Sequence, residues 1–261
     1  GSSWYVIPVP SSWNIYGIQK DGSRNYGTPI YVNQPVIFQH SVKVDDWRGG
    51  VMRTPPVNWT TYKDRNEVGS FRRDFDIPQD WDGREIFISF DGVDSFFYLW
   101  INGKYVGFSK NSRNTADFNI TPYLQKGKNT VAAEVYRSSD GSFLEAQDMF
   151  RLPGIFRTVA LYSVPKVHFR DLVATPDLDA AYTDGSLTIN ADIRNLDKKA
   201  AKNYKVYYSL YANKLYSDEN TLVDGVLSPV IEKIEPNETG RIQTVHPFQL
   251  DRFSIDIVIT S

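Results

Sequence analysis

The sequence predicts an all-β protein of two domains, and three observations carry that prediction. Short segments rich in β-branched and aromatic residues recur between turn formers, with no convincing helical periodicity. Asn102-Gly103 separates two apolar runs, the strongest local signal for a two-residue hairpin, because both central positions of its turn need positive φ. Beyond Pro165 the pattern changes to evenly spaced strands divided by polar turns.

In chain order, "FRRDFDI" (Phe71 to Ile77), "EIFISFDGV" (Glu85 to Val93), the hairpin "FFYLWINGKYVGFS" (Phe96 to Ser109), "TVAAEVYR" (Thr130 to Arg137) and "RTVALYSV" (Arg157 to Val164) read as strands of a first domain. After Pro165 come "LTINADIRN" (Leu187 to Asn195), "YKVYYSLYAN" (Tyr204 to Asn213), "GRIQTVHPF" (Gly240 to Phe248) and "FSIDIVIT" (Phe253 to Thr260). Their spacing predicts an immunoglobulin-type β-sandwich without a disulfide, since the chain has no cysteine. The boundary falls near Pro165, giving domains at residues 1–165 and 166–261.

Composition narrows the function. The 261 residues suffice for a sizeable core, and aromatic residues reach 14%, which suits strands and also suits stacking on sugar rings. The net charge of −2 and the scattered positive residues lack the basic footprint of a nucleic-acid binder. The three histidines, His40, His168 and His246, are too dispersed for a metal cluster, and the missing cysteines remove thiolate chemistry. No run of eighteen apolar residues marks a membrane span, and no export signal opens the chain. Nucleophile elbow, phosphate loop, dinucleotide fingerprint, zinc-protease helix and EF-hand loop are all missing from the sequence.

The densest chemistry lies in "SDGSFLEAQDMFRLPGIFR" (Ser139 to Arg157). Glu145 and Asp148 form a carboxylate pair there, and glycoside hydrolysis needs two carboxyl groups about 5–9.5 Å apart across a sugar. Three residues apart in one loop, the two project more naturally from one surface than from opposed sides of a substrate. They can equally accept hydrogen bonds from nearby backbone or from Arg151 and Arg157, or bind a ligand without catalysing its reaction. From the residues alone the reading stops at two all-β domains with aromatic-rich loops, a description that includes free-standing carbohydrate-binding and adhesion modules.

Longer blocks go further. "VPSSWNIYG" (Val9 to Gly17), "TPIYVN" (Thr28 to Asn33), "FDGVDSFFYLWINGKYVGFSKNSR" (Phe90 to Arg113) and "DFNITPYLQKGKNTVAAEVYRSSDGSFLEAQDMFRLPGIFRTVALYS" (Asp117 to Ser163) resemble the large bacterial β-galactosidases of glycoside hydrolase family 2. The resemblance implies a jelly-roll β-sandwich over residues 1–165 followed by an immunoglobulin-like β-sandwich over 166–261. It further implies a C-terminal TIM barrel that carries both catalytic glutamates and a magnesium ion and lies outside this sequence. The parent enzyme would hydrolyse terminal β-D-galactosides with retention, as a homo-oligomer in the bacterial cytoplasm or periplasm, while this piece alone would be inactive and hold no catalytic residue.

Two positions carry over individually. Asn33 matches an asparagine that reaches the galactosyl hydroxyls, and Asp148 matches an aspartate that contacts the sugar and helps ligate a sodium ion. An amide that donates and accepts, and a carboxylate offering hard oxygen ligands, suit those roles. Lys110 stands where a relative supplies a glutamine to a second magnesium site shared with the Asp140 position, and its positive charge argues against that site here. The resemblance leaves Glu145 and the arginines as support for Asp148.

Overall fold

The structure is a computed structural model that describes residues 4–27, 29, 66–145, 150, 152–213, 220–249 and 253–260. The chain folds as two units, Gly1–Ser163 and Val164–Ser261. Both are built from strands, and the two described α-helices are single turns of four residues.

The first unit opens with α1 (Trp13–Tyr16), then β1 (Val68–Phe75), β2 (Glu85–Phe90), β3 (Val93–Asp94), β4 (Phe96–Ile101), β5 (Lys104–Ser109), β6 (Ala116–Asn119) and β7 (Asn129–Tyr136). After α2 (Gly141–Leu144), β8 (Gly154–Ile155) and β9 (Val159–Val164) complete it. One sheet has the order β1-β7-β4-β5 and another β6-β2-β9, with β3 and β8 pairing as a short ribbon. The pairings β1-β7, β7-β4, β4-β5, β2-β6 and β3-β8 are all antiparallel. Period-two alternation explains the layering: Ile86, Ile88 and Phe90 of β2 and Phe97, Leu99 and Ile101 of β4 turn inward, and one core holds them with Val135, Ile155, Ile120 and Trp13. The predicted hairpin is present. Asn102 (φ 51) and Gly103 (φ 76) make the turn, and Asn102 Nδ2 ties it to Tyr123 O at 2.9 Å and Asn129 Oδ1 at 2.8 Å.

The second unit contains β10 (Val167–Leu178), β11 (Asp184–Asn195), β12 (Ala201–Asn213), β13 (Asn220–Leu227), β14 (Ile231–Ile234), β15 (Thr239–Gln249) and β16 (Phe253–Thr260). One sheet runs β10-β11-β15; in the other β12 pairs with β13, β14 and β16. Ala191, Ile193, Val206, Ile234 and Ile242 form its buried cluster. Asn195, fully buried, secures the turns at one end by donating to Lys199 O and Ile234 O, both at 2.9 Å, and accepting from Asp197 N at 2.9 Å. The sequence patterns at β11, β12, β15 and β16 appear as strands. The long β10 has no such pattern, because Arg170 and Asp171 interrupt its alternation at a register shift and Pro176 removes a donor. That proline is tolerated because β10 lies at a sheet edge, as does Pro247 in β15.

Candidate functional site

The chain leaves β7 into a tightly bonded turn, the start of the Ser139–Arg157 stretch. Arg137 N donates to Glu67 O at 2.9 Å, and Asn66 brackets Ser138, accepting from its N–H at 2.9 Å and donating to its carbonyl at 2.9 Å. Ser139 N then donates to Ser142 Oγ at 3.0 Å, and Ser142 N returns to Ser139 O at 3.0 Å. Asp140 caps α2 by accepting from Gly141 N at 2.9 Å.

Glu145, the first residue of the suspected dyad, is occupied structurally. Its Oε1 accepts from Ser112 N at 3.0 Å and its Oε2 from Ser112 Oγ at 2.5 Å, where Ser112 is 1% exposed. The carboxylate therefore clips this loop to the segment after β5. Of the donors the sequence offers Glu145, a backbone N–H serves it and Arg157 bonds elsewhere. Its Nη1 donates to the carbonyls of Arg113 at 2.8 Å and Asp91 at 3.4 Å, and its guanidinium lies 5.4 Å from the Phe156 ring centre. Arg113 lies over the same ring at 4.8 Å and reaches Asp94 at 3.5 Å. Carbonyls and an aromatic face near the start of β9 thus satisfy the cation locally.

The far flank of the loop is fixed as firmly. Gly154 pairs with Asp94 and Ile155 with Val93, while Ser11 N donates to Ile155 O at 2.8 Å and Trp13 N to Pro153 O at 3.2 Å. Gly154 sits at φ +140, and a Cβ there would lie 2.6 Å from Ser11 O, so only glycine lets the N-terminal segment cross here. Asn33, Asp148 and Arg151 lie outside the described residues. The anchors of the Asp148 loop at Glu145 and Pro153–Ile155 are the parts of the predicted site that the structure places.

At Asp140 the Lys110 Nζ bonds Oδ2 at 2.8 Å, and that hydrogen bond holds the Asp140 carboxyl below its ordinary pKa. Among the described residues no three His, Cys, Asp or Glu side chains gather as a metal would require.

One feature has no sequence signal. Arg137, its side chain 2% exposed, pairs with Glu67 Oε2 at 2.8 Å, and burial pulls the guanidinium below its ordinary pKa while Glu67 opposes the shift. Asn14, fully buried, donates to Tyr26 O and lies 3.5 Å from Glu67 Oε2. Asn14 and Arg137 stand 53 and 70 residues from Glu67, and no local pattern announces them. Glu67 also lines a pocket of about 610 Å³ with Trp13, Tyr26 and Phe71.

Comparison with known proteins gives this geometry its family. Residues 3–165 match the model described as "Glycosyl hydrolases family 2, sugar binding domain". A β-galactosidase of Priestia megaterium is 43% identical over 192 residues, 74% of this chain and 17% of the relative. One from Yersinia pestis is 40% identical over 189 residues, 72% of this chain and 16% of the relative. The chain thus spans about a sixth of the length of these relatives. Among solved structures, Bacteroides uniformis β-glucuronidase 2 superposes with TM-score 0.69 at 19% identity, covering 98% of this chain and 27% of that one. A β-glycosidase from Bacteroides vulgatus gives 0.61 at 20% identity, covering 100% and 28%. At such identities the two structures speak for the sandwich fold alone. Together with the matched domain and the 43% identical relative, they lead to one conclusion: the chain belongs to glycosyl hydrolase family 2.

Proposed function

We propose that this chain is the sugar-facing N-terminal part of a longer retaining β-galactosidase, with a jelly roll over residues 1–165 and an immunoglobulin-like sandwich over 166–261. The observation that carries the reading is the 43% identity to a β-galactosidase across 74% of the chain. The geometry of the Ser139–Arg157 stretch supports it, because Glu145 is already clipped to Ser112 and is poorly placed to act as an acid or nucleophile.

In this reading Asp148 accepts hydrogen bonds from galactosyl hydroxyls and offers a carboxylate oxygen to a sodium ion, while Asn33 donates to and accepts from the same sugar. A sodium ion there would neutralise charge and fix hydroxyl orientation. A downstream TIM barrel supplies two glutamates for retaining hydrolysis and a magnesium ion, and the whole enzyme assembles as a homo-oligomer. At Asp140 the Lys110 ammonium takes the place of a divalent cation.

The isolated 261-residue chain is expected to show no turnover of a chromogenic β-galactoside. A rate above background that Glu145→Gln abolishes would make this chain a complete hydrolase and overturn the reading. The reading frame is expected to continue past Ser261 into a barrel with paired glutamates; a stop codon there would favour a free-standing binding module.

A further inference from the structure

The sheet β1-β7-β4-β5 changes character across its outward side. Its inward side packs Phe97, Leu99, Ile101 and Val135 into the core. An antiparallel sheet with one face in water alternates apolar with polar residues, whereas a strand buried on both faces reads as a continuous apolar run. β4 is of the second kind, apolar or aromatic at every position from Phe96 to Ile101. Its outward positions are Phe96, Tyr98 and Trp100, and the register sets Tyr136 of β7 beside Phe96, Phe108 of β5 beside Tyr98, and Tyr105 of β5 beside Trp100. β1 is ordinary on the same side: Ser70, Arg72 and Asp74 are exposed there, and Asp74 bonds Thr130 Oγ1 and Lys128 Nζ, both at 2.7 Å.

The aromatic half of this face is ordered by its own rings. The centre of the Tyr98 ring lies within 6.3 Å of those of Phe96, Trp100, Tyr105, Phe108 and Tyr136. Tyr136 donates its phenol hydrogen to Glu134, which engages the carboxylate standing among them. Tyr105 and Phe108 nevertheless remain 50% and 52% exposed. The strands that carry these rings belong to residues 66–145, which are described without a break apart from the side chains of Phe143 and Leu144. Packed aromatic surface with little charge has the composition of the buried centre of an interface rather than of a solvated sheet.

Size decides between the possible occupants. Three strands about 4.8 Å apart, each of six residues rising about 3.4 Å, give the aromatic half roughly 300 Å². A stable dimer buries about 800 Å² on each partner, so this face is too small to hold a second copy by itself. It does reach the lower range of contacts between domains of one chain, about 600 Å² counted over both sides, where a covalent tether supplies a high effective concentration. The relatives have length enough for such a domain, since this chain spans 17% and 16% of the β-galactosidases it matches.

We propose that the aromatic face of β4, β5 and β7 docks against an apolar surface of the polypeptide that lies outside this sequence in the longer chain. The existence of that polypeptide rests on the proposed function, while the location of the contact rests on the sheet alone.

Hydroxyl-radical footprinting of Tyr105 and Phe108, in the 261-residue chain and in the full-length enzyme, tests this directly. Both rings should label readily in the short chain and roughly fivefold less in the full-length enzyme, as half-exposed residues do on entering an interface centre. A full-length enzyme that cleaves β-galactosides yet labels both rings as the short chain does overturns this inference and leaves the proposed function standing. A reading frame that stops at Ser261 overturns both. Strong protection already present in the dilute short chain overturns the inference as well. Protection of the full-length enzyme that disappears when its subunits are dissociated would give the face to a second copy, and so would protection of the short chain that grows with concentration alongside dimers in sedimentation; either result overturns it.

Discussion

Replacing Glu67 by Gln should destabilise the first unit by about 3 kcal/mol, although the change preserves shape and involves no proposed sugar ligand of the Asn33 and Asp148 pair. Arg137 is 2% exposed and pairs with Glu67 at 2.8 Å, so the glutamine leaves a buried guanidinium without its main counter-charge. Breaking such a pair costs about 3–5 kcal/mol. Two features place this case at the low end: Glu67 keeps 18% exposure, and Asp94 also acts electrostatically on Arg137. For a unit of this size, roughly 2–4 °C of melting temperature follows each kcal/mol, so a drop of about 6–12 °C is expected. Urea unfolding monitored by circular dichroism measures it, alongside Glu67→Gln/Arg137→Met, which should recover much of the loss by removing the stranded charge. A single variant within about 1 kcal/mol of wild type, or a double variant worse than the two single losses combined, would refute the reasoning.

Gly154→Ala should cost well over the roughly 1 kcal/mol expected of Gly103→Ala. Both sit at positive φ, but a Cβ at 154 would lie 2.6 Å from Ser11 O, whereas one at 103 meets nothing within 4 Å. Comparison of the two denaturation midpoints tests it, and equal losses would contradict the crossing of the N-terminal segment at Gly154. The Tyr136 phenol is pushed up to about 12, first by the hydrogen bond it donates to Glu134 and then by burial. Its folded pKa lies above the unfolded value near 10, so its contribution to stability is present below about pH 10 and is lost as pH rises through 12. Burial pushes the Tyr162 phenol up to about 12 as well, so phenolate absorbance should show two late tyrosines, of which Glu134→Gln moves one down toward about 10; an unchanged late amplitude in that variant would count against the bond.

What the sequence announces depends on how far apart the cooperating residues are. The Asn102-Gly103 turn is written in two adjacent residues, and the inward row Phe97, Leu99, Ile101 follows from alternation within one strand, so both are legible. β10 is not, since a register shift and Pro176 break its pattern and only its edge position makes that acceptable. The partner of Glu145 is hidden for a similar reason. Arg151 and Arg157 are near in sequence, but its donor is Ser112, 33 residues away, which the sheet brings back beside the loop. Glu67 and Arg137, 70 residues apart, meet only because β1 pairs with β7. The likeness to family 2 draws on long ordered blocks and so survives these local ambiguities, while Asn33 and Asp148 are reached through it alone.

The most direct measurement of the account is therefore kcat/KM of the full-length enzyme carrying Asp148→Asn, on a chromogenic β-galactoside. A charged hydrogen bond to the sugar is worth about 1.5–3 kcal/mol, so the account predicts a loss of roughly 10- to 150-fold with the fold and melting temperature retained. Kinetics indistinguishable from wild type in that variant would remove Asp148 from the sugar pocket and contradict the account.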